Sequence, residues 1–125
     1  MSPQRLVLNL RTGEVLLARA SVCAGFFSRL VGLQLRRRLG TEEGMIFVCN
    51  RPGRLAAAIH TMGLRFAIGV VWLDAELKIV DMKLAKPWKF AHVPKAPAMY
   101  YLEANPAILD LVQIGDQLRI DEVIA

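Results

Sequence analysis

Cysteine and histidine are scarce in this sequence, with two of each. Cys23 and Cys49 stand far apart, neither belongs to a Cys-x-x-Cys pair, and His60 and His92 are too widely spaced to complete a zinc pattern. No metal site is therefore expected, and both cysteines read as small core residues rather than a disulfide. Long hydrophobic runs are also missing: the stretch from Phe66 to Leu73 falls far short of the ~20 residues that a bilayer-spanning helix needs. No basic start, apolar core and small-residue cleavage site follow one another near Met1, so the expected compartment is the cytoplasm, with no membrane partner. The chain lacks a Gly-x-Ser-x-Gly elbow and a glycine-rich phosphate loop. These absences favour a binding module over an enzyme, and no cofactor is expected.

What is present suffices for one packed domain spanning residues 1–125. The chain is 54% hydrophobic, enough for a core without disulfides or metal. Its net charge of +5 is unevenly spread. Residues 1–65 hold ten arginines, no lysine and three acids, whereas residues 66–125 hold five lysines, one arginine and eight acids. Consecutive Arg36, Arg37 and Arg38, with Arg29, Arg51, Arg54 and Arg65, form a candidate patch for nucleic acid, anionic lipid or an acidic partner. No interleaved aromatics accompany them, so the nucleic-acid reading rests on charge alone and an ordinary solvated surface is favoured.

Two β-prone runs, Leu6 to Leu10 and Val15 to Ala18, flank a Gly-containing turn and read as a hairpin. Beyond Ser21, a potential cap, Phe26, Phe27, Leu30 and Val31 recur at helical spacing and predict a helix ending near Gly32. Met45 to Cys49 has the profile of a buried strand, and another strand is expected from Arg54 to Thr61. Between Phe66 and Leu73 both alternate faces are apolar, which predicts a central strand covered on both sides, with Phe66 and Trp72 buried. Leu77 to Leu84 follows as its hairpin partner. Three prolines punctuate residues 86–97, which read as a long loop of the kind that often carries function. Ala98 to Ala104 resumes as a strand, Asn105-Pro106 starts a short helix through Leu111, and Gln117 to Ile120 is the last strand. The expected fold class is α+β, mostly β: a strongly curved, antiparallel-rich sheet or small barrel with one packed helix and one short helix.

Chemistry concentrates in Ile59-His60-Thr61-Met62-Gly63-Leu64-Arg65, where an imidazole, a hydroxyl and a guanidinium precede the most apolar strand. Such groups recognise anions. Asp74 lies at the far end of that strand, too distant to pair with His60 in a flat sheet. Asp116, in a Gly-Asp turn, reads as a residue that bonds backbone amides rather than a catalyst.

Five segments in order resemble the family known as domain of unknown function 192: Gly32 to Leu39, Glu43 to Phe47, Ile59 to Asp74, Tyr101-Leu102-Glu103, and Gly115-Asp116. The resemblance covers about residues 6–121. It implies a compact β-rich single domain of a family found in bacteria and archaea, some members being exported, and it implies no particular activity. Gln34, Ala67 and Gly69 depart from the family's usual Met, Pro and Asp. Carried over residue by residue, the resemblance implies a candidate ligand site of Arg36, His60, Thr61, Arg65, Asp74 and Glu103. The leading reading is a module that binds a small anionic ligand or a peptide carboxylate, or a protein partner, through His60, Thr61 and Arg65 beside the 86–97 loop. Gly69 is expected to open space in that cavity and to remove an opposing charge. A small-substrate hydrolase or lyase with His60 as base is the alternative, and a basic docking protein using Arg36 to Arg38 is a third.

Overall fold

The computed structural model describes residues 4–23, 40–62, 64–89 and 91–122. Seven strands make one mixed sheet: β1 (Gln4–Asn9), β2 (Val15–Cys23), β3 (Glu43–Gly53), β4 (Ile68–Leu73), β5 (Ile79–Ala85), β6 (Ala98–Ala104) and β7 (Leu118–Glu122), in the order β5-β4-β6-β3-β2-β1-β7. The β1–β2 hairpin turns at Gly13, whose φ of 75° suits a residue without a Cβ. β2 and β3 run parallel, and every other neighbouring pair is antiparallel.

Strand alternation divides β4 between two cores. Ile68, Val70 and Trp72 join Phe47, Tyr101, Ala57, Ile59 and Leu64 on one face, while Val71 and Leu73 join Leu17, Ile46, Leu102, Ile108 and Leu118 on the other. All six β4 residues are buried, as expected of a strand covered on both sides. Trp72 is fully buried and its indole N–H donates to the Ala57 carbonyl at 2.8 Å, pinning the 54–61 segment onto the sheet. Phe47 stacks on Tyr101 with ring centroids 4.9 Å apart in the same core.

Four expectations are corrected. The sheet is open, neither a barrel nor strongly curved: β5 and β7 end the strand order, and among the described residues they meet in no ladder, just the isolated bridge Lys78–Gln117 at their beginnings. Among the described residues there is no packed α-helix. Ser21 to Cys23, expected to open one, continue β2, because ladders on both sides hold Ser21 to Gln4 and Met45, and cross-strand pairing overrides local helical spacing. The remainder of that expected helix, Phe26 to Gly32, lies outside the described residues. Residues 54–61 form turns and one bridge, Ile59–His92, rather than a strand. Finally, Phe66 precedes β4 and is only partly buried against the first core. The short helix holds as a 3-10 turn at Pro106–Asp110, where the Asn105 side chain accepts from the Ala107 amide. No helix among the described residues is long and apolar enough to cross a membrane.

A polar clasp ties both ends of the chain together. Buried Asp116 accepts from Arg11 Nε at 2.6 Å, from Asn9 Nδ2 at 2.9 Å and from the Gln113 amide at 3.0 Å. The Arg11 bond, ahead of the others, pushes the Asp116 carboxyl down to about 2. Its folded value lies below its ordinary one, so the stabilisation is complete above 3.8 and is lost as pH falls through about 2. Asp116→Asn is expected to flatten the acid limb of stability measured by urea melts across that window.

Replacing Trp72 with Ala removes a buried side chain and a hydrogen bond together. The expected loss is about 3–5 kcal/mol in urea denaturation. A melt matching the unmodified protein would contradict the placement of Trp72 at the centre of the first core.

Candidate functional site

Residues 86–97 fold over the first core and are tied down along their length. The Ile59–His92 bridge exchanges both backbone hydrogen bonds, at 3.1 and 2.7 Å. Arg54 Nε donates to the Pro94 carbonyl, and buried Asp81 accepts from the Lys95 amide through one oxygen and the Met82 amide through the other. At the near end the loop wraps around Thr61, which is wholly buried. Thr61 N–H donates to the Lys89 carbonyl, while its own carbonyl accepts from the Trp88 amide at 2.8 Å. The hydroxyl donates to the Lys86 carbonyl at 2.6 Å, accepts from the Lys89 amide at 3.0 Å and lies 3.2 Å from His92 Nε2. A hydroxyl has one proton and two lone pairs, so this one is fully used.

That network assigns the tautomer of His92. The Thr61 proton is committed to Lys86, so Oγ1 must accept from His92 Nε2–H, leaving Nδ1 as the bare nitrogen of the neutral ring. His92 is only 3% exposed, and its Nδ1 has no hydrogen-bond partner among the described residues. Burial lowers the imidazole's pKa below its ordinary range, with Lys83 and Lys89 pushing the same way and the bond to Lys86 opposing.

His92 lines a surface cavity of about 390 Å³ together with Lys83, Leu84, Lys86, Lys89 and Ala91. Three exposed lysines line it, with no carboxylate among the described lining residues. β5 supplies Lys83, and the loop bound to Thr61 supplies Lys86 and Lys89. Between these two lysines, Trp88 adopts φ of 62°, uncommon for a bulky residue, and leaves its indole 64% exposed. The Thr61 carbonyl holds that backbone in place.

Of the candidates read from sequence, Thr61 is bonded into this cavity wall, but as a buried support. His60 and Arg65 are exposed and do not line the cavity. Asp74 shapes the β4–β5 turn by accepting from the Glu76 and Lys78 amides. Glu103 lies in β6 opposite Met45 and Val70, and Arg36 lies outside the described residues. Gly69 does not open the cavity. A Cβ there points into the second core, 2.8 Å from Ile108 Cγ2 and 3.3 Å from the Asn105 carbonyl. The cluster that sequence reasoning missed is Lys83, Lys86, Lys89 and His92. Its signal was present: all five lysines of the chain fall between Lys78 and Lys95.

An open mixed β-sheet with a basic cavity under a proline-punctuated loop defines the class of domain. Solved structures share its fold: a Sinorhizobium meliloti protein described as a candidate transcription regulator (TM-score 0.83, 19% identity, 96% of each chain) and a Novosphingobium aromaticivorans protein of unknown function (TM-score 0.78, 21% identity, 93% of this chain and 83% of that one). At these identities the likeness concerns fold alone. The family model DUF192, described as an uncharacterized ACR, matches residues 7–120, and the chain belongs to this family. Among its relatives, UPF0127 protein PF1050 of Pyrococcus furiosus is 32% identical over 94% of this chain and its own full length, and a UPF0127 protein of Thermococcus sibiricus is 32% identical over 90% of this chain and 73% of its own. Both relatives are archaeal.

Thr61→Val keeps the shape and removes the hydroxyl, leaving the Lys86 carbonyl, Lys89 amide and His92 Nε2 without their partner. Stranding the buried His92 group costs about 1–3 kcal/mol, and the two part-buried backbone groups cost less because water can reach them. Faster amide exchange in residues 86–92 is the expected readout, with β1 and β2 unchanged.

Proposed function

We propose that this domain is a binding module for a small anionic ligand, seated in the cavity lined by Lys83, Lys86, Lys89 and His92. The observation that carries the reading is that three lysines line one cavity with no carboxylate among its described lining residues. Like charges around one cavity repel, and an anion among them offsets the repulsion while accepting charge-assisted hydrogen bonds. The anchored loop supports the reading too, because lysines on a pre-ordered backbone lose less freedom on binding than lysines on a mobile one. The leading expectation from sequence, an anion beside the 86–97 loop, is retained in chemistry and moved from His60 and Arg65 to the lysines. Thr61 acts as a positioning residue.

Calorimetric titration with inorganic phosphate, sulfate and small carboxylates at low salt tests the proposal. Binding is expected to weaken with added salt, and Lys86→Ala with Lys89→Ala should weaken it by about tenfold or more, equivalent to ~1.4 kcal/mol. Trp88 offers a second readout: it is exposed and lies in sequence between the lining lysines Lys86 and Lys89, whereas the other tryptophan, Trp72, is fully buried. Quenching of its fluorescence should track occupancy. Binding that survives the lysine changes but disappears on replacing Arg36, Arg37 and Arg38 with Ala would move the site to the arginine run.

A further inference from the structure

We infer that the ligand of this cavity is a small organic polyanion, carrying two or three separated negative groups, rather than a monovalent or a compact inorganic anion. The inference rests on the anion reading above and names the class of ligand within it. At about 390 Å³ the cavity falls within the range of roughly 300–1,000 Å³ that small-molecule sites occupy. A tetrahedral oxyanion fills a small part of that space, so a ligand that uses it brings an organic frame. Three lysines line the cavity, Lys83 from β5 and Lys86 and Lys89 from the loop, with no carboxylate among the described lining residues. One negative group offsets one of these charges and leaves the others opposed to each other. All three lysines are exposed, so each ion pair is weak alone, and affinity accumulates with the number of pairs that a single ligand makes.

His92 reports how near these charges are. Its ring is buried in the cavity wall, with Nε2 bonded to Thr61. After burial itself, Lys83 and Lys89 both disfavour the protonated imidazole, while the Lys86 backbone acts in the opposite sense. Lysines from two different elements thus act on one ring, and a molecule that fills the cavity lies within reach of both. The ring does not have to touch that molecule, because it senses the surrounding charge. An anion that offsets Lys83 and Lys89 raises the His92 pKa from its lowered position, and by linkage the anion binds more tightly as pH falls through that titration.

Calorimetry on the unmodified protein at about pH 8 and fixed ionic strength compares acetate, succinate, citrate and sulfate. Affinity is expected to rise with each added carboxylate, by about tenfold or more from acetate to citrate, and succinate is expected to bind more tightly than sulfate, a compact dianion. Lys83→Ala, Lys86→Ala and Lys89→Ala should each shrink the citrate-to-acetate ratio. Lys78→Ala and Lys95→Ala, which alter exposed lysines outside the cavity lining, should leave it unchanged. Citrate should also move the His92 titration, followed by nuclear magnetic resonance, to higher pH. Equal affinity for acetate and citrate, sulfate matching succinate, equal losses in all five lysine variants, or an unmoved His92 titration at saturating citrate would each overturn the inference while leaving an anion site standing. Duplex DNA that binds more tightly than citrate through the same three lysines would overturn the small-molecule class. Failure of every anion to bind at millimolar concentration would overturn the anion reading and this inference together.

Discussion

The saturated hydrogen bonding of Thr61 is the constraint on which the 86–92 region depends. One residue supplies a donor to Lys89, an acceptor to Trp88, and a hydroxyl that serves Lys86, Lys89 and His92 at once. Because Thr61 is wholly buried, losing its hydroxyl takes away the partner of buried His92 and two part-buried backbone bonds at once. The arrangement is held from below as well. Trp72, in the middle of β4, bonds Ala57, and Ile59 bonds His92 on both sides, so the position of Thr61 is inherited from the most buried strand of the sheet. A central strand, a pinned segment and a wrapped loop thus form one mechanical chain from core to surface.

Charge is treated differently at the clasp, where it is buried, and at the cavity, where it is exposed. At the clasp, Asp116 meets a guanidinium, an amide side chain and a backbone amide, and its carboxylate is stabilised. At the cavity, positive groups collect with no counter-charge among the lining residues. The first pattern is what a folded protein needs to hold termini together, and the second is one that a fold does not need for itself. That contrast is why the cavity, rather than the more heavily bonded clasp, is the functional candidate.

Local signals were legible where local chemistry decides the outcome. The Gly13 turn, the two-faced apolar run of β4, the bounds of β6 and the Asn105-Pro106 helix start could all be read from residue type and spacing. Long-range pairing was not legible. Ser21 to Cys23 follow the ladders on either side rather than their helical neighbours, and the parallel partnership of β2 with β3 has no local signature. The same division holds for the site. The 86–97 loop and Thr61 were singled out from sequence, but Thr61 was read as a ligand contact because a hydroxyl beside an imidazole looks available until its partners are known. Gly69 was assigned to the cavity because strand parity alone does not say which face carries the loop. The lysines were passed over for the denser arginine run, although Lys83, Lys86 and Lys89 converge only when the β5 end and the loop are folded together.

An open sheet also has to avoid lengthening itself. β5 stands at one end of the strand order, and an unpaired strand edge is a template on which another chain can assemble. Asp81 meets this hazard in the middle of that strand. Its carboxylate occupies the Met82 amide on one oxygen and fastens the Lys95 amide with the other, so a chain arriving edge-on finds that N–H already bonded. The strand that carries Lys83 and Leu84 to the cavity thus has part of its hydrogen-bonding capacity spent within its own chain, which makes it a poorer template than a bare edge of the same length.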